Sequence, residues 1–114
     1  MFKEIAQFAS LMKNLPKIKD EMEKLQGRLS QISAEGDAGA GMVKVKVNGH
    51  MEVQACRLSD EAIKLQDKEM LEDLVASAAN QALKRARQLV AEETAKVATG
   101  LGLPPNLNLP GLGG

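Results

Sequence analysis

Aromatic side chains are almost absent from the 114-residue chain, which contains two Phe, no Trp and no Tyr. Single-stranded nucleic acids are commonly bound by stacking bases on aromatic rings, and many protein-binding surfaces are anchored by Tyr or Trp. The composition therefore argues against both kinds of surface. An excess of positive charge is absent too, because 15 basic residues balance 15 acidic ones. Net charge alone thus gives no argument for a nucleic-acid-binding protein.

Residues suited to catalysis or metal binding are equally scarce. The single cysteine, Cys56, cannot form a disulfide within the chain, which favours a reducing compartment. The single histidine, His50, would lie about 20 Å from it along an extended strand, too far for a nucleophile–base pair. One histidine and one cysteine also cannot supply the roughly three or four ligands of a zinc site. We therefore expect no enzyme activity, no metal ion, no cofactor and no small-molecule substrate.

Long apolar segments are missing as well. No run approaches the roughly 20 apolar residues that a membrane-spanning helix needs. Charged residues near the start interrupt the apolar core that a signal peptide would require. The sequence therefore predicts a soluble, cytoplasmic protein with no membrane partner.

The first third of the chain carries a heptad repeat. Apolar residues spaced alternately by three and four positions form it: Phe8, Leu11, Leu15, Ile18, Met22, Leu25, Leu29 and Ile32. This spacing predicts a helical arm over residues 2–32 that packs against another helix. Pro16 disfavours a helix interior, but the repeat keeps its phase across it, which favours a kinked and continuous arm.

A short β-hairpin is predicted to follow a glycine-rich break. Residues 42–47 alternate between apolar and basic side chains, which is typical of a half-buried strand. Asn48-Gly49 predicts a two-residue type I′ turn into a returning strand that ends at Leu58. In that register Val45 would pair with Glu52, and neither face of the hairpin would be cleanly apolar. A bulge, or contacts on both faces, would explain this.

A long helix is predicted for the last third. Ser59 is predicted to cap a short helical turn, and Asp67 to cap a long helix over residues 68–99. Many alanines lie on the apolar face of the long helix, which indicates close approach to another helix or to the sheet. The order of helix, antiparallel strands and helix predicts an α+β fold.

Charge is distributed unevenly along the chain. Residues 1–34 contain six basic and four acidic side chains, residues 59–73 contain two and six, and residues 74–114 contain four and two. The positive charge therefore lies on the two helical segments. Candidate phosphate-binding residues on these segments are Lys13, Lys17, Lys24, Arg28, Lys84, Arg85 and Arg87.

Two motifs carry a resemblance to a known family. The segment Gly-Ala-Gly-Met-Val-Lys-Val-Lys-Val-Asn-Gly spans residues 39–49, and Asp-Lys-Glu-Met-Leu-Glu-Asp-Leu-Val opens the long helix at residues 67–75. Together with Leu-Pro-Pro at residues 103–105 and the heptad-bearing first helix, they resemble the YbaB/EbfC family of bacterial nucleoid-associated proteins. The resemblance covers nearly the whole chain.

The resemblance implies a two-layer α-β(3)-α protomer with a small antiparallel sheet and two long helical arms, in a tight two-fold homodimer. Its third strand would lie before Met42, within residues 33–39. The implied layout is one domain over residues 1–100, with a helical arm at 2–32, a sheet at 33–58 and a long helix at 68–99. Residues 101–114 would form a flexible tail rich in Pro, Gly and Leu.

The resemblance also implies a function in the bacterial cytoplasm and nucleoid. The homodimer would bind duplex DNA with its arms and contribute to nucleoid organisation and gene regulation, without enzymatic activity. Most contacts would be made to phosphates by the seven basic residues named above. An alternative is a dimeric coiled-coil adaptor or chaperone-like module whose paired arms grip another protein, with methionines as adaptable contacts.

Overall fold

The computed structural model describes residues 2–102 and shows an elongated α+β protomer. The elements in chain order are α1 (Phe2–Gln31), β1 (Ser33–Ala38), β2 (Val43–Asn48), β3 (Val53–Leu58), α2 (Asp60–Lys64) and α3 (Lys68–Gly100). The three strands form one antiparallel sheet in the order β1-β2-β3. The predicted α+β class and the small antiparallel sheet are therefore confirmed. The prediction of a flexible tail falls mostly on residues 103–114, which lie outside the described residues.

Helix α1 continues through Pro16 without a break. Its second half packs on α3, where Leu25 and Leu29 are buried against Val97. Its first half extends beyond the end of α3, and Ile5, Phe8, Met12 and Leu15 are exposed there. Among the described residues, the heptad repeat thus has a helical partner along its second half.

The main core lies between the sheet and α3. Valines 43, 45 and 47 alternate inward from β2, because successive side chains on a strand point to opposite faces. They meet a row of small residues on α3 that consists of Ala78, Ala82 and Ala86. This row allows α3 to approach the sheet closely, as the alanine-rich face predicted. On β1, Gly36 lies where a side chain would meet the backbone of α3.

The predicted two-residue hairpin turn is wrong. Val45 pairs with Cys56 and Val47 with Val53, so the strands are joined by a four-residue loop at residues 49–52. Gln54 has no partner on β2 at the register shift, so β3 bulges there. A bulge was one of the two explanations for a predicted hairpin in which neither face was cleanly apolar. The valines consequently lie opposite Val53, Cys56 and Leu58 rather than opposite polar groups.

The loop adopts a different geometry because Asn48 and Gly49 make contacts that a two-residue turn would not allow. The Asn48 side-chain oxygen accepts from the backbone N–H groups of His50 and Glu52, at 2.9 and 3.1 Å. The Gly49 N–H donates to the carbonyl oxygen of Leu29 at 2.9 Å. A Cβ at Gly49 would collide with that same carbonyl group. The loop is therefore docked on the end of α1, and the left-handed residue in it is Met51, with φ of 62°.

The predicted helix caps are confirmed. The Ser59 hydroxyl accepts from the Ala62 N–H at 3.1 Å, and the Asp67 carboxylate accepts from the Met70 N–H at 3.0 Å. Each bond satisfies a backbone donor that the first helical turn leaves unpaired. The long helix therefore begins at Lys68, as predicted, and ends at Gly100, one residue beyond the prediction.

Candidate nucleic-acid interface

All seven candidate phosphate-binding residues lie on the two long helices and are exposed. Those on α1 are Lys13, Lys17, Lys24 and Arg28, and those on α3 are Lys84, Arg85 and Arg87. The structure divides them according to whether a group of the same protomer already binds the cation. This division matters because a paired cation must give up its partner before it can neutralise a phosphate.

Two of the four candidates on α1 are ion-paired. The Lys24 amine lies 3.2 Å from a carboxylate oxygen of Asp20 and 3.5 Å from one of Glu21. The hydrogen bond and charge of Asp20, followed by those of Glu21, raise the pKa of Lys24 above its ordinary value. Arg28 Nε lies 3.8 Å from Glu93 of α3, so this pair links the two helices. These three ion pairs lie at the surface and contribute little to stability, but they reduce the positive charge that a ligand would meet.

Arg85 has a structural partner at the edge of the sheet. Its guanidinium donates to the carbonyl oxygen of Glu35 at 2.6 Å. One turn earlier, the Gln81 side-chain oxygen accepts from the Asp37 N–H, also at 2.6 Å. β1 is an edge strand, so these contacts occupy backbone groups that would otherwise be open to another strand. Arg85 therefore links α3 to β1 and also contributes positive charge to α3.

The remaining four candidates have no such partner. Among the side chains that the structure describes, no carboxylate lies within 4.0 Å of Lys13, Lys17, Lys84 or Arg87. Lys13 and Lys17 are one turn apart on α1. Lys84 is two residues from both Ala82 and Ala86, which face the sheet, so it projects from the opposite side of α3, with Arg87 one turn later. We call these four residues the open cations. Each long helix carries one pair of them.

Within residues 2–102, nothing covers an apolar surface on the third strand of the sheet. Helix α3 packs on β1 and β2, whereas β3 contacts chiefly β2. Leu58 lies directly opposite Val43, on the face that α3 covers elsewhere, yet 42% of its surface is exposed. Val53, opposite Val47, is 58% exposed. We call Val53, Cys56 and Leu58 the β3 surface.

The chain matches the YbaB/EbfC DNA-binding family over residues 3–101. The chain belongs to this family. A nucleoid-associated protein of Rhodopseudomonas palustris is 37% identical over 105 residues, which cover 92% of this chain and 99% of that protein. The resemblance carried by the two sequence motifs is thus confirmed.

The fold of the YbaB/EbfC chain is similar to a solved structure. The crystal structure of an uncharacterized protein from Helicobacter pylori matches it with a TM-score of 0.64 and 26% identity. The match covers 82% of this chain and 95% of the other. The arrangement of helices and sheet therefore recurs in a protein of distant sequence.

Sequence reasoning missed a second group of cations in this family member. Lys44 and Arg57 lie directly opposite each other on β2 and β3, and Lys46 follows on β2. All three are exposed on the face of the sheet that α3 does not cover. The strict alternation of β2 was the available signal, since it places both lysines on one face. Asp37 and Glu35 lie opposite the two lysines on β1, so the face carries both signs of charge.

The histidine and the cysteine lie apart, as their spacing predicted. His50 Nε2 is 3.1 Å from the Ser30 hydroxyl, in the loop that docks on α1, and Cys56 is exposed on β3. Over residues 2–102, no three His, Cys, Asp or Glu side chains come together as a metal site. None of the helices in that range is long and apolar enough to cross a membrane.

Proposed function

We propose that this protein binds duplex DNA as a homodimer, through phosphate contacts from its helical arms, and thereby contributes to nucleoid organisation and gene regulation in the cytoplasm. The open cations carry this proposal, because they place unpaired positive charge on both long helices. Residues 1–100 act as one domain in it. The role is one of binding and requires no catalytic group.

The chemistry of the open cations favours phosphate over base recognition. Lysine and arginine on exposed helix faces can neutralise phosphates of any sequence, and each contact releases counterions from the duplex. The chain has few aromatic rings on which to stack unpaired bases, which favours a duplex over a single strand. The relative in Rhodopseudomonas palustris is named as nucleoid-associated, which agrees with such binding.

The β3 surface supports the homodimer. An apolar strand face left uncovered beside a sheet core is a common site of association between copies. Leu71 and Val75, which pack against the sheet core, also line an apolar groove on α3 that a second copy could cover. A two-fold axis would also double the open cations from four to eight, so more phosphates could be neutralised at once.

The affinity for duplex DNA is expected to fall steeply with salt. If all eight open cations of a dimer contact phosphate, log K changes with log salt at a slope of roughly −7, since each contact contributes about −0.9. The variant carrying Lys13→Gln, Lys17→Gln, Lys84→Gln and Arg87→Gln should lose most of this slope. Electrophoretic mobility-shift titrations across a salt series measure both slopes.

The matched control replaces four exposed cations outside the two long helices. Lys44→Gln, Lys46→Gln, Arg57→Gln and Lys64→Gln remove the same amount of positive charge from the sheet and α2, and should leave the slope nearly unchanged. Absence of binding by the original protein at low salt would contradict DNA binding. An equal loss of slope in both variants would contradict the assignment to the arms.

The β3 surface is expected to hold the dimer together. Leu58→Glu places a charge in the apolar contact and should convert the protein to a monomer at micromolar concentration. Arg57→Glu is the control, because it introduces the same side chain on the opposite face of the same strand. Light scattering after size-exclusion chromatography gives the molar mass of each. A monomeric original protein, or a dimeric Leu58→Glu variant, would disprove this interface.

A further inference from the structure

The first half of α1 carries an apolar row that the described part of the protomer leaves uncovered. Ile5, Phe8, Met12 and Leu15 follow one another at helical spacing, and between 43% and 66% of each residue is exposed. We call these four residues the α1 row. It continues the stripe that passes through Ile18 to Met22 and Leu25, and the last two pack in the cluster with α3. Helix α3 ends at Gly100, beside Lys17 of α1, and therefore stops short of the α1 row.

The chain leaves α3 at the place where the α1 row begins. Leu101 still packs with the cluster that joins α3 to α1. The twelve residues that follow, 103–114, contain no charged side chain and include four leucines, Leu103, Leu107, Leu109 and Leu112. A segment of this composition has little reason to avoid an apolar surface, since no ionised group would be desolvated.

The length of the segment suits the row. Residues 103–112 span up to roughly 33 Å when extended, whereas the α1 row, from Ile5 to Leu15, is about 15 Å long. The segment contains three prolines, and because proline fixes φ, a proline-containing segment loses less entropy when it is bound. The segment is therefore long enough to follow the whole row.

We propose that residues 103–112 bind along the α1 row of the same protomer and place their leucines on it. The segment continues the α1–α3 interface past the end of α3, so that one stripe on α1 is covered first by the helix and then by the segment. Attachment at Leu101 favours the same protomer over a second copy, because a short tether gives an effective concentration in the millimolar range. Lys13 and Lys17 are each two residues from Leu15, on the opposite side of α1, and stay open.

Paramagnetic NMR tests the contact directly. A nitroxide is attached at Leu109→Cys in the full chain with Cys56→Ser, so that it has one attachment site. In the 15N-labelled protein, diluted with an excess of unlabelled and unmodified chains, amide signals of residues 5–15 should lose intensity. Those of residues 68–78, at the other end of α3, should not. Unchanged intensity at residues 5–15 would overturn the proposal.

A mixed-label sample distinguishes contact within one protomer from contact between copies, and substitutions in α1 test whether the contact uses the α1 row. Mixing 15N-labelled chains without nitroxide with unlabelled chains that carry it should give no loss at residues 5–15. A loss there would show that the segment binds the partner's arm and would overturn the same-protomer contact. Phe8→Ser with Met12→Ser should abolish the intramolecular loss, whereas Asn14→Ser with Gln26→Ser on the same helix should preserve it. All four substituted side chains are exposed, so folding is not at risk.

Truncation gives an independent readout. The chain ending at Gly102 should bind more 8-anilinonaphthalene-1-sulfonate than the full chain, and Phe8→Ser with Met12→Ser should remove the increase. Equal dye fluorescence from the full and truncated chains would contradict the proposal, as would a full chain that associates beyond a dimer through the α1 row. Neither experiment involves DNA, so its outcome is separate from that of the proposed function.

Discussion

Replacing Gly36 with alanine is expected to destabilise the fold by about 3 kcal/mol, because the added methyl group has no space. A Cβ at this position would lie 2.5 Å from the backbone nitrogen of Ala82 and even closer to the carbonyl oxygen of Ala78. Both obstacles are backbone atoms of α3, so no side-chain rotation can relieve the overlap. The helix must move away from β1, and the packing of the alanine row on the valines is lost. Urea denaturation followed by circular dichroism measures the change.

Gly27 provides the matched control. It lies within α1, and a Cβ there would meet nothing within 4 Å. Gly27→Ala should therefore stabilise the protein by about 0.5–1 kcal/mol, because alanine is the better helix former. If Gly36→Ala unfolded at the same urea concentration as the original protein, the close approach of α3 to β1 would be refuted.

Leu25→Ala is expected to cost about 3 kcal/mol and to release the arm from α3. Leu25 is fully buried and belongs, with Leu29 and Val97, to the cluster that joins α1 to α3. Truncation removes its apolar contacts and leaves a cavity in an interface that has few other buried side chains. Amide hydrogen exchange in residues 5–24 should then accelerate more than exchange in the sheet, because the sheet core is a separate cluster.

The neighbouring residue supplies the control for this effect. Gln26 is exposed on the same helical turn, and alanine is a good helix former, so Gln26→Ala should change the unfolding free energy by less than about 0.5 kcal/mol. Uniform acceleration of exchange across helix and sheet in Leu25→Ala would show that the two clusters unfold together. That result would contradict an arm held independently by the Leu25 cluster.

Elements with a strong local signal could be predicted from the sequence. The heptad repeat located α1, the side chains of Ser59 and Asp67 located the starts of α2 and α3, and alternation located β2. These signals arise within a few residues of the element, since they reflect helical period, strand period and backbone capping. The first strand, Ser33–Ala38, alternates polar residues only with alanine and glycine, has no large apolar side chain, and was implied only by the family resemblance.

The candidate interface could be predicted in part. Charge along the chain identified seven basic residues on two helices. Lys24 is engaged by Asp20 and Glu21, which lie one helical turn away and are therefore visible in the sequence. The other two engaged cations have partners that are distant in sequence: Arg28 faces Glu93, and Arg85 donates to Glu35. Residue separations of this size carry no spacing signal, so only the packed structure shows that these two are engaged. Lys44 and Lys46 are exposed because α3 packs on the opposite face of the sheet, and this too is decided by tertiary packing.

Asn48-Gly49 separates local from tertiary effects most clearly. Periodicity and capping depend on neighbouring residues, and they were sufficient to place the helices, β2 and the α+β class of this chain. The same kind of signal indicated a tight turn at Asn48-Gly49, where the loop instead bonds to the carbonyl group of Leu29. Glycine is needed there because α1 lies against the backbone, and the register of β3 follows from that contact. Local sequence thus specified the elements, whereas close packing between distant segments decided their pairing, since steric exclusion acts only once those segments meet.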